Sequence, residues 1–149
     1  GVTGAPTAMG AASAGKVFQA AYAHYNQPGP MQPLMLEFKK RFNDDLYTVG
    51  AYNVYAALSV AMAQAKSTDP VKVAAAMEGL KFQGFNGEAE LRRADHQIQQ
   101  ALFVTRWEKA SANFPYSPEN TGYTLAPVKT IAMAKASTPT TCQMKRPSK

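Results

Sequence analysis

A stretch of 20 uncharged residues, positions 46–65, constrains the fold of this chain more than any other feature. A helix of about 20 apolar residues is long enough to span a bilayer. This stretch, however, contains Thr48, Asn53, Ser59 and Gln64 as well as three tyrosines, and it is too polar for a hydrocarbon environment. We therefore predict a helix buried in a protein core, and no transmembrane segment.

The predicted helix at 51–65 has apolar residues on nearly every side. Tyr52, Tyr55, Leu58 and Met62 recur at helical spacing and form the predicted buried stripe, and the opposite face carries Ala and Val instead of charged residues. Such a helix must be covered almost all round. We expect another copy of the chain, or a further chain, to cover what this sequence leaves open.

The net charge of +6 is concentrated near the C-terminus. Residues 1–108 hold ten Lys or Arg and nine Asp or Glu, whereas the last 41 residues hold six basic residues and one acid, Glu119. The basic residues of this tail are spread out and do not share one periodic face, which favours a solvated terminus over a nucleic-acid-binding arm. We expect no nucleic-acid partner.

Two further helices are predicted on either side of the uncharged stretch. Apolar residues spaced by three and four predict an amphipathic helix at 31–43. Asp69 and Pro70 predict the start of a helix at 69–80, because Asp caps free N–H groups and Pro fits the first helical position.

Strands are predicted around these helices. A short strand is expected at 17–21, a hairpin at 80–92 turns at Asn86-Gly87, and a strongly apolar strand runs from 101 to 107. Residues 1–14 are expected to be flexible, and beyond Lys109 only a short ordered piece at 123–133 is expected.

No catalytic or metal-binding motif is evident. Asp95-His96 is the only acid beside a histidine, but sequence neighbours point in different directions, so the pair predicts a polar turn. His24 is interpreted as a surface or hinge residue. One cysteine and two histidines do not make a standard zinc set, and there is no phosphate-binding glycine loop. The sequence predicts no enzyme, no metal and no cofactor.

The stretch 15–107 resembles the C-terminal part of the periplasmic solute-binding proteins of branched-chain amino acid type ABC importers. The resemblance is carried by Ser67-Thr68-Asp69-Pro70-Val71, by the run at 73–87 that ends in the hairpin turn, and by Leu91-Arg92-Arg93-Ala94-Asp95-His96-Gln97. The Tyr-x-x-Tyr-x-Ala-Leu motif at 52–58 agrees with this resemblance in its position and in its residue types.

The resemblance implies an α/β fold of the type I periplasmic-binding class, with two three-layer, Rossmann-like lobes. This chain would be the C-terminal portion, incomplete on its own. Residues 1–21 would end a second-lobe segment, residues 22–100 would be a first-lobe segment of three helices and a hairpin, and residues 101–149 would return to the second lobe and form the basic tail.

The implied function is solute binding for import, with a branched-chain or other apolar or aromatic amino acid or organic acid held in an interlobe cleft. The implied partners are that small molecule, an ABC permease in the inner membrane, and either the missing N-terminal part of the protein or another copy. The implied location is the periplasm. The alternative is a ligand-sensing domain of a signalling or regulatory protein with the same fold, which a fused signalling domain would favour.

Two tyrosines are the candidate ligand-binding residues. In the resembling proteins an aromatic at the position of Tyr47 packs against the side chain of the ligand, and such a residue offers a large apolar face with a polar tip. The alternative is that Tyr47 is a structural residue that covers the start of the helix. Tyr22 lies near an implied crossover between lobes and is the second candidate. Tyr52 and Tyr55 are expected to belong to the core.

Cys142 is expected to form a disulfide with a cysteine outside this chain, because the implied periplasmic location is oxidising. Thiol counting on the full-length secreted protein, with and without reductant, checks this. We expect no reactive thiol at Cys142 before reduction; one free thiol there without reductant would contradict the pairing.

Overall fold

A computed structural model describes residues 4–146; residues 1–3 of the predicted flexible N-terminus and residues 147–149 of the predicted tail lie outside the described part. The chain forms two compact units. The first comprises Gly1–Val49 and Leu102–Ile131, and the second comprises Gly50–Ala101 and Ala132–Lys149. The chain therefore passes from one unit to the other three times.

Three consecutive helices in the middle of the chain are followed by four consecutive strands. The helices are α1 (Ala5–Met9), α2 (Gln32–Phe42), α3 (Val49–Ala65), α4 (Pro70–Ala76) and α5 (Met133–Ala136). The strands are β1 (Phe18–Ala21), β2 (Lys81–Gly84), β3 (Gly87–Leu91), β4 (Ile98–Gln100), β5 (Leu102–Lys109) and β6 (Tyr123–Ile131). Among the described residues no helix combines the length and hydropathy that crossing a bilayer requires.

The first unit is built on an antiparallel sheet in the order β1-β5-β6. Trp107 of β5 is fully buried, stacks on Tyr123, and donates its indole N–H to the backbone oxygen of Gly10 at 2.8 Å. The sole tryptophan thus links the segment after α1 to the sheet. Residues 4–14, expected to be flexible, instead contain α1 and a turn of 3₁₀ helix at Ala11–Ser13.

The pairing of β5 with β6 contains one irregularity. Val104 pairs with Lys129 and Thr105 pairs with Pro127, so Val128 has no opposite residue and forms a β-bulge. Pro127 has no N–H to give to the ladder, which makes a bulge a suitable place for it. The ordered piece predicted at 123–133 is therefore a nine-residue strand.

The second unit packs helices against the antiparallel sheet β2-β3-β4. Its apolar core comprises Ala57 and Ala61 of α3, Val73 of α4, and Leu80, Phe82, Ala89 and Leu91 around the hairpin. The predicted helix start is confirmed, because Asp69 accepts a hydrogen bond from the backbone N–H of Lys72 at 3.0 Å. The predicted hairpin is confirmed as well, with Gly87 at φ +105° in its turn.

The buried face of α3 differs from the predicted stripe. Asn53, Ala57 and Ala61 face the core, whereas Tyr55 is 73% exposed. The assignment of Tyr55 to the core is wrong for this chain, because small side chains allow the helix to approach the sheet more closely than a tyrosine would. Val54 and Met62 are also exposed, so the expected covering of this face by further polypeptide stays a prediction.

The two compact units do not follow the predicted segment boundaries. Helix α2 belongs to the same unit as β1, β5 and β6, whereas the predicted first-lobe segment at 22–100 includes it with the two later helices. The predicted boundaries at 21/22 and 100/101 describe lobes of a longer protein, and they stay a prediction.

Asn53 makes buried polar contacts that join α3 to the hairpin and to β4. Its Oδ1 accepts the backbone N–H of Phe85 at 2.7 Å, and its Nδ2 donates to Gln100 at 3.3 Å. A Cβ atom on Gly84 would lie 3.0 Å from the same Oδ1, so only glycine fits there without a shift.

We predict that Asn53→Leu lowers the free energy of unfolding by about 1–3 kcal/mol, because it removes the two buried hydrogen bonds that Asn53 makes to Phe85 and Gln100. Urea unfolding of the full-length protein measures this. Gln64→Leu, a similar change at an exposed position of α3, is the control and should cost much less. Equal effects of the two changes would contradict the prediction.

Candidate ligand-binding site

A cavity of about 60 Å³ lies within the first unit. Residues from α1, α2, the segment before α3, the start of α3 and β6 form its apolar wall: Pro6, Met9, Met35, Leu46, Val49 and Leu125. The polar side chains in the lining are Gln19, Tyr22, His24, Tyr25 and Tyr47. No lining residue is an Asp, Glu, Lys or Arg, so the cavity suits an uncharged group.

Both candidate residues from the sequence line this cavity. Tyr47 lies on the segment between α2 and α3, and Tyr22 directly follows β1. The fold therefore brings together two tyrosines that are 25 positions apart in the sequence. Both are partly buried, as a residue with one face toward a cavity is expected to be.

The hydroxyl of Tyr47 is bound to a carboxylate. It donates to Oε1 of Glu119 at 2.6 Å. Burial and this hydrogen bond raise the pKa of Tyr47 well above its usual value, so the phenol is neutral at physiological pH. The tip of the side chain is therefore occupied by a partner from its own unit.

The carboxylate of Glu119 accepts hydrogen bonds from distant parts of the chain. Its carboxylate accepts the backbone N–H of Gly4 at 2.5 Å, the backbone N–H of Thr7 at 2.9 Å and the hydroxyl of Thr7 at 2.5 Å, besides Tyr47. Burial alone would raise its pKa, but these hydrogen bonds outweigh burial and lower the pKa of Glu119 to about 2. Glu119 is thus an ionised carboxylate that connects α1 to Tyr47.

A second carboxylate, that of Asp45, is buried and supports the same region. It forms an ion pair with Lys39 of α2 at 2.9 Å, and its other oxygen accepts the backbone N–H of Glu119. Burial alone would raise the pKa of Asp45, but hydrogen bonds from Tyr25 and Lys39 lower it. The hydroxyl of Tyr25 also accepts the backbone N–H of Leu46 at 3.1 Å.

His24 is a lining residue whose role the sequence analysis did not anticipate. It was interpreted as a surface or hinge residue, but its imidazole lies edge-on to Tyr25, with ring centroids 4.8 Å apart, and its Nδ1 is buried without a hydrogen-bond partner in the described chain. Burial disfavours the imidazolium and lowers the pKa of His24 to about 4, although the charge of Asp45 acts in the opposite direction. At neutral pH the ring is therefore uncharged.

A larger cavity of about 520 Å³ lies in the second unit, between α4 and the C-terminal segment. Arg146 closes part of it by bonding to Glu78 and to the backbone oxygen of Arg93. His96 lines it, but Asp95 is turned to Arg92, which binds both carboxylate oxygens at 2.6 and 2.9 Å and lowers the pKa of Asp95 below its usual range. Neither candidate ligand-binding tyrosine is in this lining.

Two groups that shape the site were missed by sequence reasoning. The local sequence around His24, which precedes Tyr25 and the proline-rich turn, does not predict that the imidazole is buried. Glu119 could have been noticed as the only acid in the last 41 residues, but its donors at Gly4 and Thr7 are more than 110 positions away. Such pairings cannot be read from local periodicity.

Comparison with known proteins gives a consistent result for most of the chain. A family model described as periplasmic binding protein matches residues 3–112. The structure is similar to that of an ABC-type branched-chain amino acid transporter from Rhodopseudomonas palustris, with 29% identity and a TM-score of 0.65 over 80% of this chain and 31% of that one. No curated protein matches the sequence significantly.

Two more solved structures share the fold at 20% identity. The leucine-, isoleucine-, valine-, threonine- and alanine-binding protein from Brucella ovis matches 97% of this chain and 38% of its own length, with a TM-score of 0.80. A solute-binding protein from Rhodopseudomonas palustris, solved with 3,4-dihydroxybenzoic acid, matches 83% and 32% with a TM-score of 0.68. The chain thus spans about a third of the length of these structures.

We predict that stability falls as the pH is lowered from about 6.5 to about 4, in part because of His24. In that range the unfolded chain binds a proton at this histidine and the folded chain does not, so unfolding becomes easier. A shift from 6.5 to about 4 corresponds to a loss of roughly 3 kcal/mol at most.

Urea unfolding of the full-length protein at several pH values, for wild type and for His24→Gln, checks this prediction. The carboxylates are the same in both proteins, so the difference between the two curves isolates His24. We expect the variant to lose stability less steeply between pH 6.5 and 4. Parallel curves would show that His24 does not cause the dependence.

Proposed function

The chain belongs to the periplasmic binding protein family, and from this premise we propose that it is part of the solute-binding component of an ABC importer. Its structure is a portion of the type I periplasmic-binding fold, as the resemblance implied. The proposed solute is a branched-chain or other apolar or aromatic amino acid or organic acid, and the proposed location is the periplasm. In this role the protein delivers the solute to a permease in the inner membrane.

One observation carries the proposal for the site: the two tyrosines chosen from the sequence line the same cavity. Aromatic rings and aliphatic side chains around a small enclosed volume are typical of pockets that receive an apolar group. Since no lining residue carries a charge, the ionic end of an amino acid or organic acid has no partner here. We propose that the cavity receives the apolar end of the solute.

The size of the cavity agrees with a partial site. Pockets that hold a complete small ligand usually measure roughly 300–1,000 Å³, whereas this cavity measures about 60 Å³. We propose that residues outside this chain bind the charged end of the solute, in an interlobe cleft of the full-length protein.

The comparisons support the class of solute but do not select one member. The structure at 29% identity is named as a branched-chain amino acid transporter, and another similar structure holds 3,4-dihydroxybenzoic acid. A branched-chain amino acid combines an aliphatic side chain with a carboxylate, and 3,4-dihydroxybenzoic acid combines an aromatic ring that bears two hydroxyls with a carboxylate. The similar structures named here are described as transport or solute-binding proteins, which favours import over the signalling alternative.

We predict that Tyr47→Ala in the full-length protein weakens solute binding by about 1–3 kcal/mol, as expected for the loss of a buried aromatic contact. Isothermal titration calorimetry with L-leucine and with 4-hydroxybenzoate measures the affinity. Tyr22→Ala should also weaken binding, by a smaller amount.

Tyr116→Ala is the matched control, because Tyr116 belongs to the same unit, is 38% exposed and does not line the cavity. Melting temperatures of the unbound proteins separate a loss of binding from a loss of folding. If Tyr47→Ala and Tyr116→Ala bind the solute equally well, Tyr47 is a structural residue. If the wild type binds neither probe, the proposed solute class is wrong.

A further inference from the structure

We propose that Glu119 is a positioning residue that determines the specificity of the cavity for its solute. Because Glu119 holds the hydroxyl of Tyr47, only the ring of that tyrosine can contact the solute. The cavity therefore favours an apolar group of the solute over a hydroxyl group. The inference rests on the proposed solute-binding function. Glu119 itself does not line the cavity, so it would act only through Tyr47.

The first step of the argument is the direction of the Tyr47 side chain. Its Oη lies 2.6 Å from Oε1 of Glu119, and neither Glu119 nor Asp45 belongs to the lining. The polar end of Tyr47 therefore points to a group outside the cavity wall. What remains to form the wall is the aromatic ring.

The second step is that Glu119 cannot readily turn away. Two backbone N–H groups and a hydroxyl, from Gly4 and Thr7, hold its carboxylate in place, and its own backbone N–H is bound to Asp45. Glu119 has φ +50°, a conformation that is rare for a residue with a side chain. This network maintains that conformation, so the acceptor for Tyr47 has a fixed position.

The third step concerns Tyr25, which lies in the same wall. Its hydroxyl accepts the backbone N–H of Leu46 and binds Asp45, so this second phenol is also satisfied from within the unit. A solute hydroxyl that faces these two rings, and not the unpartnered Nδ1 of His24 in the same lining, would lose its bonds to water and find neither phenol free to replace them. A methyl group in the same place has no hydrogen bonds to water to lose, and burial of its apolar surface is favourable.

The experiment compares pairs of ligands that differ only by a methyl or a hydroxyl group. The pairs are L-valine with L-threonine, and 4-methylbenzoate with 4-hydroxybenzoate. Calorimetry on the full-length protein gives the ratio of the dissociation constant of the hydroxyl ligand to that of the methyl ligand. We expect the wild-type ratio to exceed one for the pair that binds.

Glu119→Met removes the acceptor while keeping the length of the side chain. Tyr47 can then offer its hydroxyl to a solute, and the ratio should fall by roughly three- to tenfold, the usual value of one hydrogen bond. Glu119→Gln keeps one carbonyl acceptor and should restore most of the ratio. In the Tyr47→Phe background, Glu119→Met should leave the ratio unchanged, since no hydroxyl is left to release.

Thr7→Val is the matched control for a merely structural role. It removes one donor to Glu119 but not the bond to Tyr47, and Thr7 is not in the lining. This variant should melt at a lower temperature and keep the wild-type ratio. If the ratio of dissociation constants falls as far in Thr7→Val as in Glu119→Met, the positioning role is overturned.

A further variant decides the question even if Glu119→Met does not fold. Because the hydroxyl of Tyr47 is held away from the solute, Tyr47→Phe alone should give the wild-type ratio of dissociation constants. A higher ratio would show that the hydroxyl contacts the solute, and it would overturn the inference.

A ratio of dissociation constants that Glu119→Met leaves unchanged would also overturn the inference, while binding itself would still support the proposed function. If the wild type binds none of the four ligands, the proposed function fails, and the specificity role fails with it.

Discussion

The ionised carboxylate of Glu119 organises the first unit. One carboxylate can accept several hydrogen bonds, and here it accepts them from Gly4, Thr7 and Tyr47, which belong to two segments far from it in sequence. Asp45 binds the backbone N–H of the same residue and is itself neutralised by Lys39. A buried charge such as that of Asp45 is tolerable only when it is paired or hydrogen-bonded, and its bonds to Lys39 and to Glu119 satisfy that condition. The same network holds Tyr47 in the wall of the cavity.

The parts of the fold that follow from local chemistry could be predicted from the sequence. Asp69 and Pro70 mark the start of α4, Asn86-Gly87 marks the hairpin, and the apolar run after position 101 marks β5, because each signal acts within a few residues. Helix α1 and the full length of β6 were missed, since α1 is held by Glu119 and β6 by its pairing with β5. The buried face of α3 was assigned to large residues, whereas packing against the sheet selects Asn53, Ala57 and Ala61.

The candidate site shows the same division between local and long-range information. Tyr47 was chosen because of the resemblance to a family, and Tyr22 because it lies near an implied crossover. No periodic pattern indicates that both line one cavity, that His24 is uncharged beside them, or that a residue 72 positions away holds the hydroxyl of Tyr47. Those facts depend on how strands and loops come together in three dimensions.

The bulge at Val128 affects how the length of this chain can vary. Lys129 lies opposite Val104 and Pro127 lies opposite Thr105, so β6 has one residue more than its partner at this point. Deleting Val128 would keep every cross-strand pair and would remove only the local twist. A deletion elsewhere in β6 would instead move part of the strand by one position and turn its side chains to the other face, unless the bulge straightened to compensate. Single-residue deletions among natural variants of this strand should therefore concentrate around Val128.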